Sequence, residues 1–228
     1  LFTYLQQCSM LIVIFTYNRE QMLKSLLEEL KDSEHEVLII DDKSDYNLAS
    51  IFYLNRPDWT IYEPLEHKGK QRFWEQWHYA FNEIQSSTHE YICFLPDDVC
   101  NLDLKSIERF TKQGWDNMRF AINLSNSGTR YRWGKWSTGQ PDFEINDMLI
   151  QECGYVDGLF ITNRYTLEGV TMDPVPESWF TRPDKSSGVG YQLSMKLREK
   201  HVKMMIPEYS YCYHGDHESV MHKEHRIA

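Results

Sequence analysis

The sequence predicts an α/β fold: a mostly parallel, Rossmann-like central sheet flanked by helices. Three observations predict it. Short apolar runs at 10–15, 37–40 and 91–95 are too short for helices and read as strands buried on both faces. Between the first two lie Met22, Leu23, Leu26, Leu27 and Leu30, a single apolar stripe at helical spacing. Strand, helix, strand, helix, strand follow one another through residue 62, an order that implies right-handed crossovers and parallel pairing.

Length and composition bound the rest. At 228 residues the chain suits one large domain or one and a half, with a sizeable core. A formal charge of −10, from 24 basic and 34 acidic residues, argues against a nucleic-acid polymer as partner, because such proteins carry a basic face. Cys8, Cys93, Cys100, Cys153 and Cys212 form no CxxC pair; an odd count with Cys93 in a core strand reads as reduced thiols in a cytosolic protein. No apolar run approaches the ~20 residues of a membrane span, and residues 1–7 lack the basic flank of a signal peptide. The first residue is not methionine, as expected of a trimmed chain or a piece of something longer.

Taken in order, strand 10–15 runs into Thr16-Tyr17-Asn18-Arg19, and the second, 37–40, ends in Asp41-Asp42-Lys43-Ser44. A short helix at 46–53 and a short strand near 59–62 come next. The cationic segment Glu66-His67-Lys68-Gly69-Lys70-Gln71-Arg72 leads into a helix whose Phe73, Trp74, Trp77, Ala80, Phe81 and Ile84 share one face. The tryptophans read as core rather than as a stacking platform. Lys68, Lys70 and Arg72 sit where helix N–H groups and the dipole favour an anion. Cations there are poor for helix stability, which points to a phosphate site.

Pro96 stops the strand at 91–95, and Asp97-Asp98 follow at its carboxyl end, the edge where open α/β sheets bind ligands. A doubled acid there suggests a hard metal cation. Neighbours on an extended chain point opposite ways, so one acid is expected to bind metal while the other meets something else. Magnesium or manganese held by one or two carboxylates shares its shell with water and substrate phosphates. The alternative is a polar turn after a buried strand.

Farther on, the pattern gives a helix near 104–111 and a strand at 120–124. From 125 to 154, with Tyr131, Trp133 and Trp136 at no clear period, the chain reads either as an irregular excursion or as a surface hairpin. A strand at 156–161 and a short helix at 163–170 lead to a long loop, 171–187, broken by Pro174, Pro176 and Pro183. A helix at 188–200 rests on Val189, Leu193 and Leu197, and strands at 202–206 and 209–213 close the fold. Of the tail histidines 214, 217, 222 and 225, His214 ends a strand and is the first candidate ligand.

Three strand ends, Thr16-Tyr17-Asn18, Asp41-Asp42 and Asp97-Asp98, fall on one edge of such a sheet. With the cations at 68–72, that edge offers hydrogen-bonding groups for a base and ribose, charge for a diphosphate, and a metal to bridge them. Here the chain resembles the family 2 glycosyltransferases of GT-A fold. Leu11-Ile12-Val13-Ile14-Phe15-Thr16-Tyr17-Asn18-Arg19 looks like that family's opening strand and turn. Val37-Leu38-Ile39-Ile40-Asp41-Asp42-Lys43-Ser44 is similar to its second strand, and 90–98 resembles its acidic metal motif. The clear resemblance covers 10–112.

The resemblance implies roles residue by residue. Thr16, Tyr17 and Asp42 match nucleoside contacts, with Asn18 and Arg19 in the same turn; Asp97 matches a ribose or metal-water contact. Asp98 and His214 match ligands of a Mn2+ or Mg2+ ion. Lys70 or Arg72 falls near the diphosphate, and Val156-Asp157-Gly158-Leu159-Phe160 beside the acceptor. One departure matters: the family's Glu-Asp pair inside the late helix, source of its catalytic base, is replaced by Val189-Gly190. The base is then expected from the proline-broken loop or the tail, Asp184 first, with Glu177 and Asp216 behind it.

The expectation is a single GT-A domain over 1–228, with a nucleotide-sugar half at about 10–124 and an acceptor half at about 125–228. It would move a sugar from a UDP- or GDP-sugar to a glycan or lipid-linked acceptor, with inversion, in building a bacterial-type surface glycan. The resemblance places it in the cytoplasm at the inner face of the membrane, in peripheral contact with it. Two rivals stand beside it. A sugar-phosphate nucleotidyltransferase would show a glycine-rich loop after the first strand, and Thr16-Tyr17-Asn18-Arg19 has no glycine. A non-catalytic glycan-binding or scaffolding module is favoured by the missing Glu-Asp pair and opposed by Asp97-Asp98.

Overall fold

The computed structural model describes residues 9–52, 56, 59–112, 118–125, 143–145, 148–156, 158–179 and 188–214. At its centre β1 (Met10–Thr16) is buried along its whole length, because a parallel strand flanks it on each side. On one side is β2 (Glu36–Asp41), with Thr16 level with Asp41, and on the other β4 (Tyr91–Pro96), with Phe15 level with Pro96. The outer strand of this group is β3 (Thr60–Tyr62), parallel to β2.

The sheet continues past β4 through β9 (Phe160–Asn163), β6 (Phe120–Asn123), β10 (Lys203–Pro207), β8 (Met148–Glu152) and β7 (Phe143–Ile145). The group β3-β2-β1-β4 is parallel throughout. In the second half only β6 and β10 run parallel, while β9 is antiparallel to both β4 and β6, and β8 to both β10 and β7.

Alternation along β1 divides the core into two layers. Met10, Ile12 and Ile14 face α1 (Glu20–Leu30) and α4 (Leu104–Thr111), which supply Leu23, Leu26, Leu30, Ile107 and Phe110. Leu11, Val13 and Phe15 face α3 (Gly69–Ser86) and α6 (Val189–Glu199), which supply Trp77, Ala80, Phe81, Val189, Leu193 and Leu197. Trp77 is a core residue: its ring stacks 4.6 Å from Phe15 and 4.9 Å from Phe94. Aromatic pairs of this kind add about 0.5–1.5 kcal/mol each beyond area burial. The short helices are α2 (Leu48–Phe52) and α5 (Arg164–Leu167), the latter capped by Asn163, whose side chain accepts from the Thr166 amide at 3.0 Å.

Two expected strands are shorter than their apolar patterns. The run at 156–161 pairs only from Phe160, because the Val156 amide and carbonyl are both satisfied by the Ser194 hydroxyl at 3.0 and 3.1 Å. The run at 209–213 pairs only at its end, in β11 (Tyr213–His214); the Tyr211 amide donates to Leu124 and its carbonyl accepts from Asp103. Within 125–154 the described residues include the β7–β8 hairpin, and Tyr131, Trp133 and Trp136 lie outside them. Cys93, Cys100, Cys153 and Cys212 form no disulfide among the described residues, and Cys8 lies outside them. Among the described residues no helix is long and apolar enough to cross a membrane.

Candidate functional site

The carboxyl ends of β1, β2 and β4 lie together, and backbone bonds lace the loops that leave them. The Asp42 amide donates to the Thr16 carbonyl at 3.0 Å, and the Asp97 amide to the Phe15 carbonyl at 3.1 Å. These loops and the start of α3 enclose a cavity of about 340 Å3, within the size range of small-molecule sites. Thr16, Tyr17, Arg19, Asp42, Lys70, Asp97, Asp98 and His214 all line it, so eight residues singled out in the sequence meet at one place.

Asp97 and Asp98 do not point opposite ways. Both are buried, and Nη1 of Arg19 donates to Asp97 Oδ1 at 2.9 Å and lies 3.0 Å from Asp98 Oδ2. The expectation from strand alternation fails because β4 ends at Pro96 and the acids occupy the turn that leads into β5 (Val99–Cys100). Thr16 Oγ1 also donates to Asp97 Oδ2 at 2.8 Å. Burial pushes the Asp97 carboxyl up to about 6; the Asp98 charge adds to this, and Arg19 and Thr16 oppose it.

The tail reaches the acid pair through a two-stranded ribbon. β11 pairs antiparallel with β5, setting His214 level with Val99 and its Nδ1 3.0 Å from Asp98 Oδ1. Two carboxylates and an imidazole suit Mn2+ or Mg2+ in chemistry. Among the described residues no group of three or more His, Cys, Asp or Glu side chains is assembled to hold a metal.

At the other wall, Asp42 caps α3. Its Oδ1 accepts from the Lys68 amide at 2.7 Å and its Oδ2 from the Gly69 amide at 2.8 Å. The anion at this helix start is therefore a side chain of the protein, a correction to the sequence reading, which left these amides for a phosphate. Asp42 Oδ1 keeps a second lone pair beside the Lys68 amide. Gly69 has φ +58°, and a Cβ there would lie 3.1 Å from His67 Nε2. His67 in turn places Nδ1 3.0 Å from Asp42 Oδ2 and stacks on Tyr17, ring centres 4.2 Å apart.

Not every candidate arrives. Arg72 is outside the cavity lining, its guanidinium bonded to Glu66 and Glu75, and Lys68 pairs with the same two acids. Of the cations at the start of α3, Lys70 alone lines the cavity among the described residues. Asn18 is also outside the lining and ties two loops together: its side chain donates to Asp45 Oδ2 at 2.8 Å and accepts from the Asp45 amide at 2.7 Å. Glu177 lies exposed on a single turn, Glu177–Trp179, away from the cavity lining. Asp157, Asp184 and Asp216 are outside the described residues. Val189 is a core residue of α6, so the start of that helix carries no acid.

His67 and Gln76 were missed as site residues. His67 sits in the cationic segment, but its stack on Tyr17 joins two loops 50 residues apart in sequence, counted from 17 to 67. Gln76 carried a readable signal, a polar side chain at a buried position of α3, three residues from Phe73 and four from Ala80.

The parallel α/β half carries its polar strand ends into one acid-lined cavity, the arrangement of the GT-A fold class. Solved structures of that class share the fold. TarS 1-349 from S. aureus aligns at TM-score 0.59 and 17% identity, covering 91% of this chain and 60% of TarS 1-349. The same protein in complex with UDP aligns at 0.57 and 14%, with 91% and 60% covered. The mannosyltransferase PcManGT from Pyrobaculum calidifontis, in complex with GDP-Man and Mn2+, aligns at 0.59 and 17%, with 93% and 58% covered. This chain thus spans under two thirds of each. Residues 11–113 of this chain match the family model Glycosyl transferase family 2. No curated protein matches the chain in sequence.

Proposed function

We propose that the chain transfers a sugar from a UDP- or GDP-sugar to a hydroxyl of a glycan or lipid-linked acceptor, with inversion and with Mn2+ or Mg2+. The observation that carries the reading is the buried pair Asp97–Asp98 with His214 at 3.0 Å, in a cavity whose opposite wall is the start of α3. Asp98 and His214 would hold the cation, which when bound supplies charge to stabilise the departing diphosphate. Asp97 takes the ribose or a metal-bound water, and Lys70 approaches the diphosphate. Tyr17 and His67 offer a ring platform to the base, and Asp42 uses the remaining lone pair of Oδ1 to accept a base N–H.

The donor half would be about 10–124 and the acceptor half about 125–228 of one domain, working at the cytoplasmic face of a membrane. Acceptor deprotonation needs a carboxylate or imidazole within about 2.6–3.2 Å of the hydroxyl. We assign it to Asp184 first, with Asp216 next and Glu177 last, because Glu177 is not in the cavity lining. The test supplies Mn2+, a panel of UDP- and GDP-sugars and a mixed acceptor pool, scored for nucleoside-diphosphate release. Release is expected from the wild type and lost with chelator and in Asp98→Ala. Donor turnover that survives both treatments would sink the metal-centred site.

A further inference from the structure

Gln76 is 2% exposed, and its Nε2 is a buried donor with no hydrogen-bond partner among the described residues. It nevertheless lines the cavity. The residues around it are aromatic: Phe73 and Trp77 on its own helix, with Phe15 of β1 5.4 Å from the first and 4.6 Å from the second. A buried amide left unpaired in such a wall is costly, because the group has given up water and gained nothing. An apolar residue would close the stripe of α3 without that cost. Trp77 Nε1 and His78 Nδ1 are also unpartnered, but neither residue lines the cavity. Of these three residues only Gln76 belongs to the cavity wall.

Position narrows which part of a ligand that would be. The nucleoside end is marked by Tyr17 and Asp42, which follow β1 and β2, and by His67, which precedes α3. The acid pair follows β4. Gln76 lies two turns into α3, beside Trp77, whose ring contacts Phe94 of β4 and Phe160 of β9 at 4.9 and 6.4 Å. Gln76 is thus about 10 Å along α3 from the Gly69 amide that Asp42 caps, away from the nucleoside end. From this we infer that Gln76 is a specificity-determining residue whose Nε2 donates a hydrogen bond to an oxygen of the transferred sugar. The inference rests on the donor-site reading above. The aromatic residues around Gln76 would bound the apolar face of the same ring.

The test compares Gln76→Met, which keeps the length and removes the donor, with the wild type. Calorimetry in Mn2+ measures UDP and GDP, and then a panel of UDP-sugars and GDP-mannose. The expected result is at least about a tenfold loss of affinity for the sugar nucleotide the wild type binds best, with its nucleoside diphosphate unchanged within twofold. Without nucleotide the variant should melt about 2–4 °C higher, because an unpaired buried donor is gone; a lower melting temperature would count against the unmet donor. Gln76→Leu serves as a second variant with the same expectations. Equal losses for nucleotide and sugar nucleotide, or no loss for either, would overturn the assignment of Gln76 while leaving the nucleotide site standing. A wild type that binds none of these compounds overturns the donor site itself, and this inference with it.

Discussion

Asp97→Asn is expected to stabilise the metal-free protein. The carboxyl titrates at about 6 in the fold against an ordinary 3.8, and each pH unit is worth about 1.4 kcal/mol. Keeping Asp97 ionised at neutral pH therefore costs on the order of 3 kcal/mol, set by burial first and by Asp98 second. Folding raises this pKa, so the folded state binds the extra proton between pH 3.8 and about 6. Stability falls as pH rises through that window.

Asparagine has the shape of the protonated acid and can still accept from Thr16 Oγ1, while Arg19 keeps Asp98. The variant should gain about 1–3 kcal/mol at pH 7.5 and nothing near pH 4. Urea unfolding of both proteins with chelator, across pH 4–8, measures the difference and cancels other titrating groups. A variant less stable than the wild type at pH 7.5, or a difference that does not change with pH, would refute the reasoning. Turnover by the variant should fall, as expected where a site keeps unfavourable charge for function.

Two further predictions follow the same geometry. Arg19→Met leaves Asp97 and Asp98 without the guanidinium that bridges them, so the metal-free protein should lose about 3 kcal/mol while Mn2+ binds more tightly, read by denaturation and calorimetry; weaker Mn2+ binding would show that Arg19 does not compete with the ion. Gly69→Ala puts a Cβ at φ +58°, 3.1 Å from His67 Nε2, and should cost about 1–2 kcal/mol. It should also weaken UDP or GDP by disturbing the Tyr17–His67 stack, and unchanged nucleotide affinity would remove that ring pair from the site.

The parallel half of the fold was legible because its signals are local. Apolar runs at 10–15, 37–40 and 91–95 and the stripe from Met22 to Leu30 are properties of neighbouring residues, and a strand or helix follows from period alone. The second half was less so. Val156 looks like a strand residue, but the Ser194 hydroxyl, 38 positions away, takes both its backbone groups. Tyr211 bonds to Leu124 and Asp103 instead of to a ladder. Hydrophobic period reports which residues are buried, not which partner satisfies their amides and carbonyls.

The sequence by itself determined the chemistry available at the carboxyl edge: acids after β4, cations before α3, polar turns after β1 and β2. It also determined the absence of an acid at Val189-Gly190. Only the tertiary structure decided how those groups are spent. Asp42 and the cations looked poised for a ligand, but Asp42 caps α3, and Lys68 and Arg72 pair with Glu66 and Glu75. Asp97 and Asp98 looked divergent and instead converge on Arg19, while His214 reaches Asp98 across 116 positions of sequence. The reason is that charge and hydrogen-bonding capacity belong to residues, whereas pairing belongs to distances, and those are set by a sheet that joins strand ends remote along the chain.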